Sequence, residues 1–440
     1  MNKFIFDAAN VKPSQRQLDW FDMEMYMFCH FGVNTYTDRE WGNGDEPEEI
    51  FNPTELDCEQ WAKVAKDTGF KGIIITAKHH DGFCLWPSKY TEHSTKNSPN
   101  QPNVVKALSD ACKKYGIKFG FYLSPWDRNS KLYGTPEYND YFCNQLTELL
   151  TEFGDVFCVW FDNACGEGEN GKKQVYDFPR YIELVRKYQP NAVIFNDFGP
   201  DTRWIGNEAG DCRPCEWSVV PCELGKYAEV QTGPAPFAGE GNIDKIYNCD
   251  EDIGSRDVIK NTRGLVFLPS EVDTSIFNEQ WFWHETSQPR SLEKLFDIYV
   301  ASVGSNACLN LNVPPNKLGK FDDNCVKRLY ELADLIKERL SKPIDATMDI
   351  CACSMGCSYK VNTNGNKLSY VVLGEDIAQG QRVESFVIKR ADNGKIVYDG
   401  KCIGHKKICA IPEEDSLAGE YVIAVTASRE RAIISKLELY

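Results

Sequence analysis

An α/β fold is expected from this 440-residue chain: a TIM-like (β/α) barrel, distorted by long loop insertions, followed by a small C-terminal antiparallel β-sandwich. Three observations lead to it. Short runs that are apolar on both faces alternate with amphipathic helical patterns, as strands of a parallel sheet do when helices cover both sides. At least six such units follow one another over about 340 residues, which favours a closed barrel over an open sheet. Beyond Leu340 the pattern changes to brief β-rich runs separated by turns. The expected domains are therefore 1–340 and 341–440.

The strand runs, in order, are Met25 to Phe31, Gly72 to Thr76, Lys118 to Leu123, Val156 to Phe161, Ala192 to Phe195 and Ala307 to Val313. Helices fall between them. Asp57, with Gln60 three positions on, has the form of a capping box before a stripe of Trp61, Val64 and Ala65 that stops at Gly69. Asn103 to Tyr115 stops at Gly116, and Tyr138 to Phe153 at Gly154. The stretch Ile205 to Asn261 fits the repeat poorly and is expected to be loops on one rim. After a last helix, Asp322 to Leu340, Ser341-Lys342-Pro343 reads as a linker. KLSYVVLG, ESFVIKRA, KIVYDG, KICAIP and EYVIAVTA follow as sandwich strands, with turns such as Asp392-Asn393-Gly394.

Composition narrows the functions. A hydrophobic share of 42% is ample for a core, and a net charge of −16 without a basic stripe argues against a nucleic-acid partner. No apolar run reaches the roughly 18 to 20 residues of a membrane helix. The N-terminus has only Phe4-Ile5-Phe6 before Asp7, so a cytoplasmic protein is expected; a chain trimmed of its leader would be periplasmic or secreted. The 18 cysteines are scattered and read as free buried thiols. Cys212 with Cys215, and Cys351, Cys353 and Cys357, lack the second ligand pair of a zinc or iron–sulfur site, so neither metal nor cofactor is expected. The sequence carries no signature of an oligomeric state.

Chemistry in a barrel collects at the C-terminal ends of its strands. There the chain places His30, then Glu40 and Trp41; His79, His80 and Asp81; Tyr122, Ser124 and Trp126; Asp162; and Asn196 and Asp197, with Glu208 in the loop beyond. Three of six histidines thus fall at one mouth. Imidazoles, carboxylates and indole faces suit a sugar, which needs directional hydrogen bonds to hydroxyls and a flat surface for its C–H face. Each residue also has a structural reading: a strand-end histidine can be a hydrogen-bonding brace, and Asp162 can cap a helix. His79 and His80 could instead serve a metal-dependent barrel hydrolase.

FCHFGVNTYTDREWGNG, TAKHHDGFCLWPSKYTEHS, FYLSPWDRN, VWFDNACGEGENGKKQVYDF and WIGNEAGDCRPCEWSVVP resemble, in order, signature segments of the family 29 glycoside hydrolases, the retaining α-L-fucosidases. LPSEVDTSI, WFWHE and LNLNVPPNKLGKFDD continue the resemblance. It implies a barrel followed by a sandwich, an exo-acting enzyme that removes terminal fucose from oligosaccharides or glycoconjugates, Asp162 as nucleophile and Glu208 as acid/base. It further implies a fucose-binding set of His30, Glu40, Trp41, His79, His80 and Tyr122, with Trp126 and the Trp281 to Trp283 aromatics nearby. The loop after Asp162 is similar to that of the subgroup acting on α-1,3 and α-1,4-linked fucose of Lewis type. It departs in having Asn163 for the usual Gly and Glu169 for the usual Pro, and Phe277-Asn-Glu-Gln280 replaces an expected Arg-Pro-Gly. A catalytically silent carbohydrate-binding protein on the same fold is the alternative, and it should have lost one of the two carboxylates. For catalysis, hydrogen bonds or an imidazolium should favour the charge on Asp162, and a more apolar setting should raise the pKa of Glu208.

Overall fold

The computed structural model describes residues 3–232, 252–353 and 356–440. Eight parallel strands form one sheet: β1 (Met25–Cys29), β2 (Gly72–Lys78), β3 (Lys118–Leu123), β4 (Cys158–Trp160), β5 (Val193–Phe195), β6 (Arg203–Trp204), β7 (Ser270–Ser275) and β8 (Cys308–Asn312). Their order is β5-β4-β3-β2-β1-β8-β7-β6. A parallel bridge from Phe195 to Thr202 joins the two ends, so the sheet curls into a nearly closed barrel. The expected barrel is thus present, with two strands the sequence did not reveal. β6 has only two residues, too short for a periodic signal. β7, Ser-Glu-Val-Asp-Thr-Ser, is fully buried yet mostly polar, so a search for apolar runs passes over it.

The barrel is irregular where β5 leads to β6 through a short loop without a helix. Elsewhere helices Cys58–Asp67, Val104–Tyr115, Glu137–Glu152, Phe178–Tyr188, Leu292–Ser302 and Asp323–Leu340 cover the outside. Asp57 and Asn103 cap the first two through their side chains, accepting from the backbone N–H of Gln60 and Lys106. The reciprocal half of the expected capping box is absent. Gln60 turns its amide to the backbone of Phe321 instead, tying the first covering helix to the start of the last. The stretch Ile205 to Asn261 is more than loop where it is described: Val219–Pro221 pairs with Leu265–Phe267 as an antiparallel ribbon, and Arg256–Ile259 is a helical turn. Residues 233–251 of that stretch lie outside the described residues, as do the side chains of Cys351 and Cys353.

Beyond Leu340 a five-stranded and a three-stranded antiparallel sheet face each other over a core of Tyr359, Val371, Phe386, Ile388, Val425 and neighbours, the expected sandwich. It is fastened to the barrel by polar contacts. Asn306 donates to the carbonyl of Glu216 and accepts from the N–H of His405, while Cys402 Sγ and Gln381 also reach the Glu216 carbonyl. Glu216 itself is fully buried, with one carboxylate oxygen on Arg203 and the other 3.3 Å from Arg213. Removing this carboxylate leaves two buried guanidinium groups without their counter-ion. Glu216→Ala is expected to lower stability by about 3 to 5 kcal/mol, read as a fall in the urea midpoint.

Candidate active site

Side chains alternate along each strand, and the inner set fills the barrel with Tyr26, Phe28, Ile74, Tyr122, Cys158, Trp160, Val193, Phe195 and Cys308. Continuing the same alternation past the last strand residue yields the polar mouth. Tyr26 and Phe28 lead to His30, Cys158 and Trp160 to Asp162, and Val193 and Phe195 to Asp197. On the opposite wall, Glu271, Asp273 and Ser275 of β7 lie in register with Cys308, Asn310 and Asn312 of β8. A register shift between Thr76 and Lys78 breaks the alternation in β2. It sends Lys78 outward to a buried ion pair with Asp127 at 2.9 Å and a bond to Gln145 at 2.9 Å, and leaves His79 and His80 at the mouth.

Asp162 is held at both carboxylate oxygens. The Tyr122 hydroxyl donates to Oδ2 at 2.9 Å and the N–H of Ala164 donates to Oδ1 at 2.7 Å. Burial and then the charge of Asp162 push the Tyr122 phenol well up, so it remains a donor. His80 Nε2 lies 3.8 Å away. Burial lowers the pKa of His80 despite that charge, so the ring is neutral; hydrogen bonds, rather than an imidazolium, support the carboxylate.

The three histidines are neutral for the same reason. Burial brings His30 to about 3 and drives His79 well down, with the neighbouring imidazoles adding to it. Their tautomers follow from their partners. Asn312 donates its amide to Ser275 and to the carbonyl of Trp281, so its oxygen accepts from His30 Nδ1 at 2.9 Å and His30 Nε2 is an acceptor. Ser124 donates to the carbonyl of Trp126 and accepts from His80 Nδ1 at 2.7 Å, so His80 Nε2 is an acceptor too. Asn34 donates to Asp81 and points the same amide at His79 Nδ1 at 3.5 Å, leaving Nε2 of His79 as a donor. The mouth thus offers one donor and two acceptors, a pattern suited to sugar hydroxyls.

Glu208 stands on the rim, with its carboxyl turned against the wall there. Thr274 of β7 holds its carbonyl at 2.7 Å and the Trp281 indole N–H donates to Oε2 at 3.0 Å. The surrounding wall and then the charges of Asp162 and Glu40 raise its pKa; the indole bond opposes them. Two carboxyl groups 46 positions apart (208 − 162) are therefore near enough to feel each other, one held by two donors and the other pushed toward its acid form.

Most of the residues singled out in the sequence meet here. The Trp126 ring lies 5.0 Å from His80, and Trp41, 59% exposed, sets its ring edge-on to both His80 and Trp126. Glu40 is turned to the backbone N–H of Trp281 at 2.8 Å and to His284 at 2.6 Å. Trp283 is placed elsewhere, its indole N–H on Asp322 at 2.5 Å at the head of the last helix. Trp281 and Phe282 put their rings against His30, and Phe282 against His79. Sequence reasoning missed Asn312, Trp204 and Asp273. Asp273 is buried on the barrel wall, accepts from the Trp204 indole at 2.7 Å, and has its pKa pushed well up by burial, then by Glu208 and Glu271. The signal for Asp273 and Asn312 was the polar alternation in SEVDTS and CLNLN; Trp204, in a two-residue strand, left none. Burial, then Asp162, brings Asp197 to about 7. Among the described residues no three His, Cys, Asp or Glu side chains converge as metal ligands.

A barrel whose mouth pairs an anchored carboxylate with a raised one, beside neutral imidazoles and indole faces, has the make-up of a glycosidase. The family profile for Alpha-L-fucosidase matches residues 6–339. Alpha-L-fucosidase 1 of Arabidopsis thaliana is 43% identical over 97% of this chain and 87% of its own length. A glycoside hydrolase 29 family member from an unknown rumen bacterium superposes with a TM-score of 0.85 at 35% identity, over 98% of this chain and 78% of that one. A Ruminococcus gnavus GH29 fucosidase solved in complex with fucose has a TM-score of 0.81 at 28% identity, over 98% and 95%. The chain belongs to the α-L-fucosidases of glycoside hydrolase family 29 and is a glycoside hydrolase.

The phenol of Tyr122 bonds an ionised partner, an interaction worth about 1.5 to 3 kcal/mol. Tyr122→Phe is expected to lower kcat/KM about 10- to 100-fold. Measuring the thermal midpoint of the same preparation separates lost chemistry from lost fold.

Proposed function

We propose that the protein is a retaining exo-α-L-fucosidase that takes terminal fucose from oligosaccharides or glycans, with Asp162 as nucleophile and Glu208 as acid/base. The observation that carries this reading is the contrast between the two carboxyls. Asp162 accepts two hydrogen bonds that stabilise its anion, whereas Glu208 is raised by its surroundings and by Asp162 itself. In the first step an Asp162 oxygen bonds to C1 of fucose as the C1–O bond breaks, and Glu208 gives its proton to the departing oxygen. In the second, Glu208 takes a proton from water as that water attacks C1, releasing fucose and the Asp162 carboxylate. His79 as donor and His30 and His80 as acceptors orient the hydroxyls. Apolar faces such as those of Trp281 and Phe282 suit the 6-methyl group. A silent binding protein on this fold would not need the two carboxyls held in opposite states.

Linkage preference rests on the loop after Asp162 and on its packing. An isolated bridge between Glu167 and Lys173 closes that loop, and a Cβ on Gly166 would lie 2.1 Å from the Trp126 ring. The loop is thereby pressed onto Trp126, forming with exposed Trp41 a wall beside the leaving-group side. Its likeness to the α-1,3/1,4-specific subgroup favours Lewis-type substrates.

Proton NMR of the reaction tests both parts. With a Lewis-type trisaccharide, α-fucose should appear before the β anomer; β-fucose first would mean inversion and remove the nucleophile role from Asp162. Release from α-1,2-fucosylated lactose in preference to the Lewis sugar would overturn the linkage assignment alone.

Substitution separates the two carboxyls. Asp162→Ala should abolish turnover, and Glu208→Ala should lose about 100-fold or more on glycans; on α-L-fucosyl fluoride, whose leaving group needs no proton, azide should restore its turnover as fucosyl azide. Because the pKa of Glu208 is raised, its acid form persists to higher pH than an ordinary carboxyl. The alkaline limb of kcat/KM should accordingly lie above the usual carboxylate range and vanish in Glu208→Ala.

A further inference from the structure

His284 is the fourth residue of the Trp281-Phe-Trp-His-Glu285 segment and does not line the pocket with the other imidazoles. Its Nδ1 lies 2.5 Å from Asp38 Oδ1 and its Nε2 2.6 Å from Glu40 Oε1. Ionised carboxylates only accept hydrogen bonds, so a ring held between two of them must donate from both nitrogens. That ring is an imidazolium. Burial works against the charge, but the bonds to Glu40 and Asp38 and their charges prevail and raise its pKa. Other charges nearby are engaged elsewhere: Arg39 faces Glu46 at 3.9 Å, Lys317 pairs with Glu285 at 3.1 Å, and Asp322 takes the Trp283 indole.

The far oxygen of Glu40 accepts the backbone N–H groups of Trp281 and Phe282, and the Trp281 indole donates to Glu208. An unbroken strap thus runs from Asp38 through His284 and Glu40 to Trp281 and Glu208. We infer that His284, as an imidazolium bridging Asp38 and Glu40, is a positioning residue for Glu208, because it holds the Trp281 indole that orients the acid/base. The inference rests on the assignment of Glu208 proposed above.

Its pH sign is defined. Below the raised pKa of His284 both bonds exist. As pH rises through that value one N–H is lost, a carboxylate then faces a bare nitrogen lone pair, and the strap slackens. The alkaline limb of kcat/KM should therefore contain two ionisations, that of Glu208 and that of His284.

The test compares kcat/KM for a Lewis-type trisaccharide, whose leaving group needs a proton, with that for α-L-fucosyl fluoride, whose leaving group does not. His284→Gln is expected to lose about 10- to 100-fold on the trisaccharide, little on the fluoride, and one of the two alkaline ionisations. Asp38→Asn, a milder change at an exposed residue, should keep activity at low pH and move the histidine ionisation to lower pH, which serves equally if His284→Gln does not fold. Equal losses on both substrates, or unchanged alkaline limbs in both variants, would overturn the inference. Glu208→Ala run in parallel distinguishes the causes. If it too loses both substrates equally, the acid/base assignment fails; if it spares the fluoride while His284→Gln does not, only the role of His284 fails.

Discussion

Closure of the parallel sheet is the constraint on which the site depends. Once eight strands form a ring, every second side chain must point inward, and the inward set of each strand continues past its last hydrogen-bonded residue into the mouth. The lower layers are filled by aromatic packing, with Trp160 stacked on Phe195 at 4.0 Å and Phe28 edge-on to Trp160 at 5.1 Å. The next layer cannot be filled the same way without sealing the pocket. It is polar, and because the floor beneath it is rigid, His30 and Asp162 have little freedom.

Burying so many ionisable groups in one mouth sets their states collectively. Desolvation neutralises the three histidines, and at His80 the opposing charge of Asp162 does not prevail over it. The acids divide. Asp162 accepts from two donors, and its charge helps raise Glu208 and Asp197. Further down, Glu271 accepts from Tyr26, Trp160 and Asn310, which offset part of the cost of its burial. The chemistry of the rim is thus tied to the floor of the barrel through the same strands, β7 and β4.

Much of the fold was legible because burial on both faces leaves an apolar run and helix ends leave Gly, Asp or Asn. The strand ends carrying His30, His79, His80, Tyr122 and Asp162 could be located by that logic. β7 could not, because its inward residues are acids and hydroxyls paired with β8 and with indole N–H groups, partners that no local pattern names. Trp283 shows the converse. It shares a segment with Trp281, yet its ring is drawn to Asp322 at the start of the last helix, a residue 39 positions away.

The sequence by itself determined the class of fold, the change of architecture after Leu340 and the family, since these rest on periodicity and on ordered motifs within short windows. Tertiary structure alone decided which groups act on one another. Asp162 acts on Glu208 through its charge, and His284 lies between Asp38 and Glu40, only because the barrel brings distant loops to one rim. The protonation of each is then set by burial and by partners across space, quantities that local sequence does not contain.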